Sequence, residues 1–369
     1  MANPAIKYEP QATVSNISAR AKLLKDRLLT ITPEICYERA ELITESYKET
    51  EGMPIIIRRA KALEKILAKM EIRISPDELI VGNHTRKPRS SPIFPEFSFA
   101  WIEAEFDRLA KRTGDVFLIS DECKEKLSSV FKYWQGKTSQ EYAANLMTEE
   151  AKAAQANGVF TVGNYFFLGV GHICVDYGLV LEKGFLGIKQ EALKERAKLD
   201  LTKPADLAKA QFLQAVEIVC DATVDFAARF AREAEKQAQA EKDARRKLDL
   251  MQIAENCRQV PAHPAQSFFA ALQAFWFVQL IIQLESNGHS ISPGRFDMYM
   301  YPYFKKDVES GKLTREEALE LIECLWVKFN EINKVRDEAS TKAFGGYPMF
   351  QNLIVGGQTP DGRDSTNEL

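Results

Sequence analysis

The fold is decided by SFFAALQAFWFVQLIIQLESNGHSISPGRFDMYMYPYF, residues 267–304, which contains the most apolar run of the chain. Residues 267–284 approach the length of a membrane span. However, the run is interrupted by Gln273, Gln279 and Gln283, and such polar groups are disfavoured in a lipid-facing helix. We therefore predict a buried core helix and no membrane partner.

The turn that follows this helix is the first candidate binding site. Asn287-Gly288 is a turn signal, so His289 and Ser290 are expected where the helix ends. Imidazole and hydroxyl groups at such a point can hydrogen-bond a small polar ligand. The alternative is that both residues only stabilise the turn.

Composition excludes several classes of protein. The 369 residues carry a net charge of −3 with a pI near 6.0, so no basic surface is expected for a nucleic acid partner. The N-terminus has no apolar segment typical of a secretory signal, which predicts a cytoplasmic location. The six cysteines form no CxxC spacing, so we expect mostly buried thiols and neither a disulfide framework nor a metal site.

Periodicity predicts one continuous, helix-rich α/β unit over residues 1–369. Apolar spacing and capping signals predict helices at 19–29, after Pro54 and after the Thr314–Glu317 capping box. A helical region is predicted over 204–259, in which the polar stretch 232–247 is either a solvated helix face or a hairpin tip. Strands are predicted at 79–81 and 349–355, followed by a turn at 359–362. The last residues, DSTNEL, resemble the start of another helix. A chain rarely ends on a fresh cap, so we expect the sequence to be truncated.

Two further segments contain candidate site residues. FTVGNYFFLGVGHICVDYG, residues 160–178, combines glycines that permit close backbone approach with His172 and Asn164. GGYPMFQNLIVGGQ, residues 345–358, places Phe350 where it could line a cavity. Packing roles are the alternative for both segments. The string EINKVRDEAS, residues 331–340, is interpreted as an ordinary salt-bridged helix end.

Many blocks of the chain resemble the pyruvate formate-lyase-like glycyl-radical enzymes. The resemblance runs from about Ala19 through nearly the whole chain, and residues 160–178 are similar to the vitamin B12-independent glycerol and 1,2-propanediol dehydratases. The other blocks that carry it are CYERAELITESYKETEGMPIIIRRAKAL (36–63), DELIVGN (77–83), RSSPIFPEFSFAWIEAE (89–105), residues 267–304 and NKVRDEASTKAFGGYPMFQNLIVGGQ (333–358).

The resemblance implies a fold and a type of chemistry. The fold would be the first half, with surrounding helices, of a ten-stranded α/β barrel. A radical activating enzyme that uses S-adenosylmethionine and an iron–sulfur cluster would install a glycyl radical, which passes to a cysteine. The thiyl takes a hydrogen atom from C1 of a diol, a glutamate accepts the C1 hydroxyl proton, and the C2 hydroxyl leaves as water. The thiyl cysteine, the glutamate and the radical glycine are expected beyond residue 369.

The resemblance also assigns roles to individual residues. His172 matches the family histidine that hydrogen-bonds the departing hydroxyl, while Asn164, His289 and Ser290 match positions that contact or flank the substrate hydroxyls. Phe350 stands where the glycerol enzyme has a tyrosine, which favours the methyl group of propane-1,2-diol over a third hydroxyl. None of the six cysteines is assigned the radical.

These expectations define a leading function and its alternatives. The leading function is dehydration of a vicinal diol, with residues 1–369 alone inactive and holding no cofactor or metal. A glycyl-radical lyase for another small substrate (of the choline, hydroxyproline or formate-lyase type) and a non-catalytic remnant are left open. Full-length relatives imply a homodimer, and enclosure in a bacterial microcompartment is left open.

Overall fold

The computed structural model describes residues 17–160, 165–344 and 349–369. The fold is helix-rich α/β. Its helices are α1 (Ala19–Leu29), α2 (Glu38–Glu49), α3 (Ile55–Lys69), α4 (Ala100–Glu103), α5 (Asp121–Trp134), α6 (Ser139–Leu146), α7 (Glu149–Ala156), α8 (Tyr165–Leu168), α9 (Tyr177–Arg196), α10 (Pro204–Ala240), α11 (Ala244–Gln259), α12 (Phe268–Glu285), α13 (Phe296–Glu309), α14 (Arg315–Phe329) and α15 (Glu338–Phe344), with a 3-10 turn at Leu109–Lys111. Its strands are β1 (Ile35–Cys36), β2 (Ser91–Pro92), β3 (Gly294–Arg295) and β4 (Leu353–Ile354), which pair in parallel as β1 with β2 and β3 with β4.

Helix α12 forms the centre of the core. Among the described residues it is the one helix that is long and apolar enough to cross a membrane, and 83% of it is buried inside the protein. The Phe277 ring packs edge-on against Phe226 and at a tilt against Phe230, both on α10, with centroid distances of 6.0 and 5.7 Å. The prediction of a buried core helix is therefore confirmed.

The three glutamines of α12 connect this helix to extended segments. Gln273 exchanges two hydrogen bonds with the main chain of Val81, at 2.9 and 2.8 Å. Gln279 Nε2 donates to the Ile291 carbonyl at 2.9 Å and to Gln351 Oε1 at 2.7 Å. Buried amides that are satisfied in this way fix the position of the neighbouring segments relative to the helix.

Several predicted helix ends agree with the structure. Pro54 is the N-cap residue of α3, and α1 has the predicted bounds. Thr314 and Glu317 form the predicted capping box of α14. The helical region predicted over 204–259 consists of α10 and α11, and the break between them at residues 241–243 lies within the polar stretch 232–247, where a hairpin tip was one of the two expectations.

Three predicted elements differ from the structure. Residues 79–81 form no strand, since the Gln273 side chain takes the hydrogen bonds that a neighbouring strand would make at Val81. The strand predicted over 349–355 is reduced to β4, because Phe350 adopts a left-handed backbone (φ 50°). Residues 364–369 are not helical. Ser365 accepts a hydrogen bond from Arg295 at 2.9 Å instead of capping a helix.

Three extended segments lie side by side and in parallel around the end of α12. Ile173 forms a parallel bridge with Ile291, and β3 pairs with β4. The segment after α12 therefore lies between residues 172–174 and residues 349–354. This arrangement brings together three segments that are distant in sequence.

Candidate active site

The two histidines singled out from the sequence lie on adjacent segments. The His172 amide donates to the His289 carbonyl at 2.8 Å, and the Ile173 amide donates to the Ser290 carbonyl at 3.1 Å. The imidazole centroids are 4.8 Å apart with an interplanar angle of 70°. His172 is exposed and His289 is buried, so one ring faces the open side while the other lies behind it.

Glycines permit this close approach. A Cβ atom at Gly288 would lie 2.0 Å from the Val170 carbonyl oxygen, and one at Gly171 would lie 2.3 Å from the His289 carbonyl oxygen. Both distances are far below van der Waals contact. The glycine-rich sequence around His172 therefore allows two main-chain segments to touch, as the sequence predicted.

The third extended segment, residues 349–354, places Phe350 next to His289. The Ser290 amide donates to the Met349 carbonyl at 2.9 Å, and the Phe350 ring lies 5.4 Å from the His289 ring. Phe350 is 41% exposed, so its ring borders the open side of the site. Of the five predicted site residues, the structure brings His172, His289, Ser290 and Phe350 together, while Asn164 lies outside the described residues.

Three of these residues have a strained backbone. His172, Ser290 and Phe350 adopt left-handed conformations, with φ of 53°, 61° and 50°. Such a conformation costs of order 1–3 kcal/mol in a non-glycine residue, and it is concentrated at functional sites. Three instances within one small group therefore support a functional role for this group over simple packing.

The environment of His289 keeps its imidazole neutral. Burial, together with the neighbouring Arg336, His172 and Lys334, lowers the pKa of His289 to about 4. At neutral pH one ring nitrogen is therefore a donor and the other an acceptor. A neutral imidazole of this kind can hold a hydroxyl group in a fixed orientation.

Two basic residues at the site were not predicted from the sequence. Lys334 and Arg336 are each only 5% exposed, and they lie in the connection between α14 and α15. The interpretation of residues 331–340 as an ordinary salt-bridged helix end is therefore wrong for Lys334. Lys334 instead donates to the carbonyls of Ser286 at 2.9 Å and Gly288 at 2.6 Å.

The sequence as a whole matches a known family. The family model for pyruvate formate lyase-like proteins matches residues 12–369. The chain belongs to this family. Among curated relatives of this pyruvate formate lyase-like chain, a probable dehydratase from Escherichia coli K12, YbiW, is 41% identical over 96% of the chain. An isethionate sulfite-lyase from Oleidesulfovibrio alaskensis is 36% identical over 91% of the chain.

Solved structures of family members have the same fold. A structure concerned with 1,2-propanediol dehydration in Roseburia inulinivorans is 50% identical, covers 97% of this chain and has a TM-score of 0.94. The glycerol-bound B12-independent glycerol dehydratase from Clostridium butyricum is 52% identical, covers 96% of this chain and has a TM-score of 0.93. The chain spans less than half of the length of these relatives, from 42% to 45%.

Proposed function

We propose that this chain is the substrate-holding part of a glycyl-radical lyase that converts propane-1,2-diol or glycerol to an aldehyde and water. The observation that carries the proposal is the pair of imidazole rings, 4.8 Å apart, where three parallel segments meet. Support also comes from sequence identity, which is 50–52% with the structures concerned with propanediol and glycerol and 34–36% with the sulfonate and hydroxyproline enzymes.

The proposed roles of the site residues follow from their positions. The exposed His172 donates a proton to the C2 hydroxyl as the C–O bond breaks, which converts a poor leaving group into water. Neutral His289 and Ser290 hold the adjacent hydroxyls, so that the bond that breaks is correctly aligned. We propose that Asn164, as in the resembling enzymes, also contacts a substrate hydroxyl.

The proposed radical chemistry removes a hydrogen atom from C1 and later returns it. We propose that its cysteine, its glutamate base and its radical glycine lie outside residues 1–369, in the second half of the ten-stranded barrel and a C-terminal domain. Within this chain, five of the six cysteines are buried. Burial raises the thiol pKa of Cys123 to about 12 and that of Cys220 to about 11, which makes them poor candidates for reactive groups.

The proposal includes partners and a cellular location. A radical S-adenosylmethionine enzyme with an iron–sulfur cluster installs the glycyl radical, and the complete protein forms a cytoplasmic homodimer. These partners follow from the family resemblance, and each can be tested by co-expression and by measuring the molar mass in solution.

A substrate panel tests the proposed function. The full-length protein is activated without oxygen by its activating enzyme and is incubated separately with propane-1,2-diol, glycerol, isethionate and trans-4-hydroxy-L-proline. We expect propanal or 3-hydroxypropanal from the diols and no product from the other two compounds. Release of sulfite from isethionate with no aldehyde from either diol would instead assign the protein to another group of glycyl-radical lyases.

A further inference from the structure

The C-terminal end of α12 is surrounded by basic side chains from four distant parts of the chain. We call this set the basic collar. Four consecutive carbonyls, at residues 283–286, and the carbonyl of residue 288 each accept a hydrogen bond from one of its members. The contacts are His84 Nε2 to Gln283 at 3.3 Å, Arg39 Nε to Leu284 at 2.7 Å, Arg59 Nη2 to Glu285 at 3.0 Å, and Lys334 Nζ to Ser286 at 2.9 Å and Gly288 at 2.6 Å.

Donors of this kind are needed wherever a helix ends inside a protein. The last carbonyls of a helix have no partner within the helix, and the helix dipole favours positive charge at this end. A helix end that is buried without such partners would be destabilised, because each unsatisfied carbonyl loses its hydrogen bonds to water without replacement. The collar therefore allows α12 to end inside the protein, next to the candidate active site.

Lys334 differs from the two arginines of the collar. Arg39 forms an ion pair with Glu96 at 2.7 Å, and Arg59 pairs with Glu285. Within residues 17–160, 165–344 and 349–369, Lys334 forms no ion pair with a carboxylate, and its hydrogen bonds go to the two main-chain carbonyls. Burial lowers the pKa of Lys334 well below its usual range. Its contacts therefore serve the loop rather than a charged partner.

The two carbonyls held by Lys334 lie directly before His289. The Gly288 carbonyl belongs to the peptide bond that enters His289, and the next carbonyl, that of His289 itself, accepts from the His172 amide at 2.8 Å. The peptide groups on both sides of His289 are thus fixed, one by Lys334 and the other by the segment that carries His172. Ser286 adds a third contact, from its hydroxyl to the Val170 carbonyl at 2.6 Å.

We propose that Lys334 is a positioning residue that binds the Ser286 and Gly288 carbonyls and thereby fixes the His289 ring beside His172. The expected effect of Lys334 on turnover rests on the proposed function, whereas its effect on the structure is independent of that function. A fixed Gly288–His289 peptide determines where the imidazole lies. A displacement of about 1 Å at such a site can lower the rate by about 10²-fold.

The test uses hydrogen exchange in the full-length protein, because local exchange does not depend on any substrate. Lys334→Met keeps a long apolar side chain but removes every donor. We expect the amides of residues 286–292 to exchange at least about tenfold faster than in the wild type. In the diol assay, kcat/KM is expected to fall by about 10²-fold.

Arg229→Met is the matched control. Arg229 also binds two carbonyls at a helix end, those of Leu67 and Met70 at 2.5 and 2.6 Å, but it lies on α10 away from the site. In this variant, faster exchange is expected near residues 67–70 and unchanged exchange is expected at 286–292. Equal exchange at 286–292 in Lys334→Met and the wild type would overturn the proposal, and so would a rise there in Arg229→Met as large as in Lys334→Met.

A second variant covers the case in which Lys334→Met does not fold. Lys334→Arg keeps hydrogen-bond donors at this position but replaces one nitrogen with a planar fork, so exchange at 286–292 is expected between the values of the wild type and the Met variant, with kcat/KM partly recovered. No local rise in Lys334→Arg, or a rise that is equal over the whole protein, would overturn the proposal. If the wild type does not dehydrate diols but exchange changes as expected, the proposed function is wrong and the role of Lys334 stands.

Discussion

At the scale of single residues, the candidate active site is built from four side chains on three extended segments and from the lysine that holds one of these segments. His172, His289, Ser290 and Phe350 were selected from glycine-rich or turn-forming segments and from the family resemblance, and the structure brings them together. Lys334 was not selected. Its burial depends on where the connection from α14 to α15 lies against the end of α12, and local sequence carries no signal for that contact.

The neutral state of His289 predicts how stability depends on pH. The pKa of His289 is about 4 in the folded protein and 6.5 without perturbation. The unfolded state therefore binds more protons between these values, and stability falls as the pH drops from 6.5 towards 4. The contribution of His289 to this fall is up to about 3 kcal/mol.

Denaturant titrations at several pH values between 7 and 4 measure this effect. His289→Phe is expected to lose less stability than the wild type over this range. His84, whose pKa burial lowers to about 3, contributes in the same direction in both proteins and cancels in the comparison. Parallel pH profiles for the two proteins would show that His289 is not the residue responsible.

Phe350 predicts substrate preference. Because the Phe350 ring borders the site next to His289, Phe350→Tyr would add a hydroxyl there. We expect the kcat/KM ratio of glycerol over propane-1,2-diol to rise by about tenfold. Phe212→Tyr, at an exposed position on α10, is the control and should leave the ratio unchanged. A strong preference of the wild type for glycerol would contradict this explanation.

At the scale of elements, helices with caps and apolar stripes were predictable, whereas extended segments were not. The capping box of α14 and the start of α3 follow from neighbouring residues. The glutamines of α12 appeared from the sequence only to interrupt an apolar run. In the structure they hydrogen-bond to Val81, Ile291 and Gln351, which are long-range contacts.

The contact between the two histidine segments gives a prediction at the same scale. Gly288→Ala would place a Cβ atom 2.0 Å from the Val170 carbonyl oxygen, so the segments must separate. We expect a loss of stability of about 1–3 kcal/mol and a decrease in diol turnover. Gly114→Ala is the control, since a Cβ atom there meets nothing within 4 Å. Unfolding midpoints that are the same for both variants would exclude the close contact.

At the scale of the whole molecule, the family and the helix-rich α/β fold were correctly inferred from resemblance spread over many blocks. The ten-stranded barrel remains a prediction, because the described strands form two short parallel pairs. Resemblance was decisive at this scale, since composition and periodicity alone indicate only a helix-rich protein with a candidate pocket.

The division of labour within the proposed enzyme gives a prediction for residues 1–369 alone. In that proposal this chain holds the diol and the radical comes from outside it, so the isolated chain is expected to form no aldehyde even with the activating enzyme present. An anaerobic assay with propane-1,2-diol measures this, with the full-length protein as the positive control. Propanal formed by residues 1–369 alone would contradict the proposed division.

His172 is proposed to protonate the departing hydroxyl of a vicinal diol, and replacing this side chain tests that role. The rate of propanal formation from propane-1,2-diol is measured for the activated full-length wild type, for His172→Asn and for the control His263→Asn, whose histidine is exposed and outside the site. We predict that kcat falls by about 10²–10⁴-fold in His172→Asn and is unchanged in the control. A His172→Asn enzyme that forms propanal at the wild-type rate would show that His172 does not protonate the departing hydroxyl.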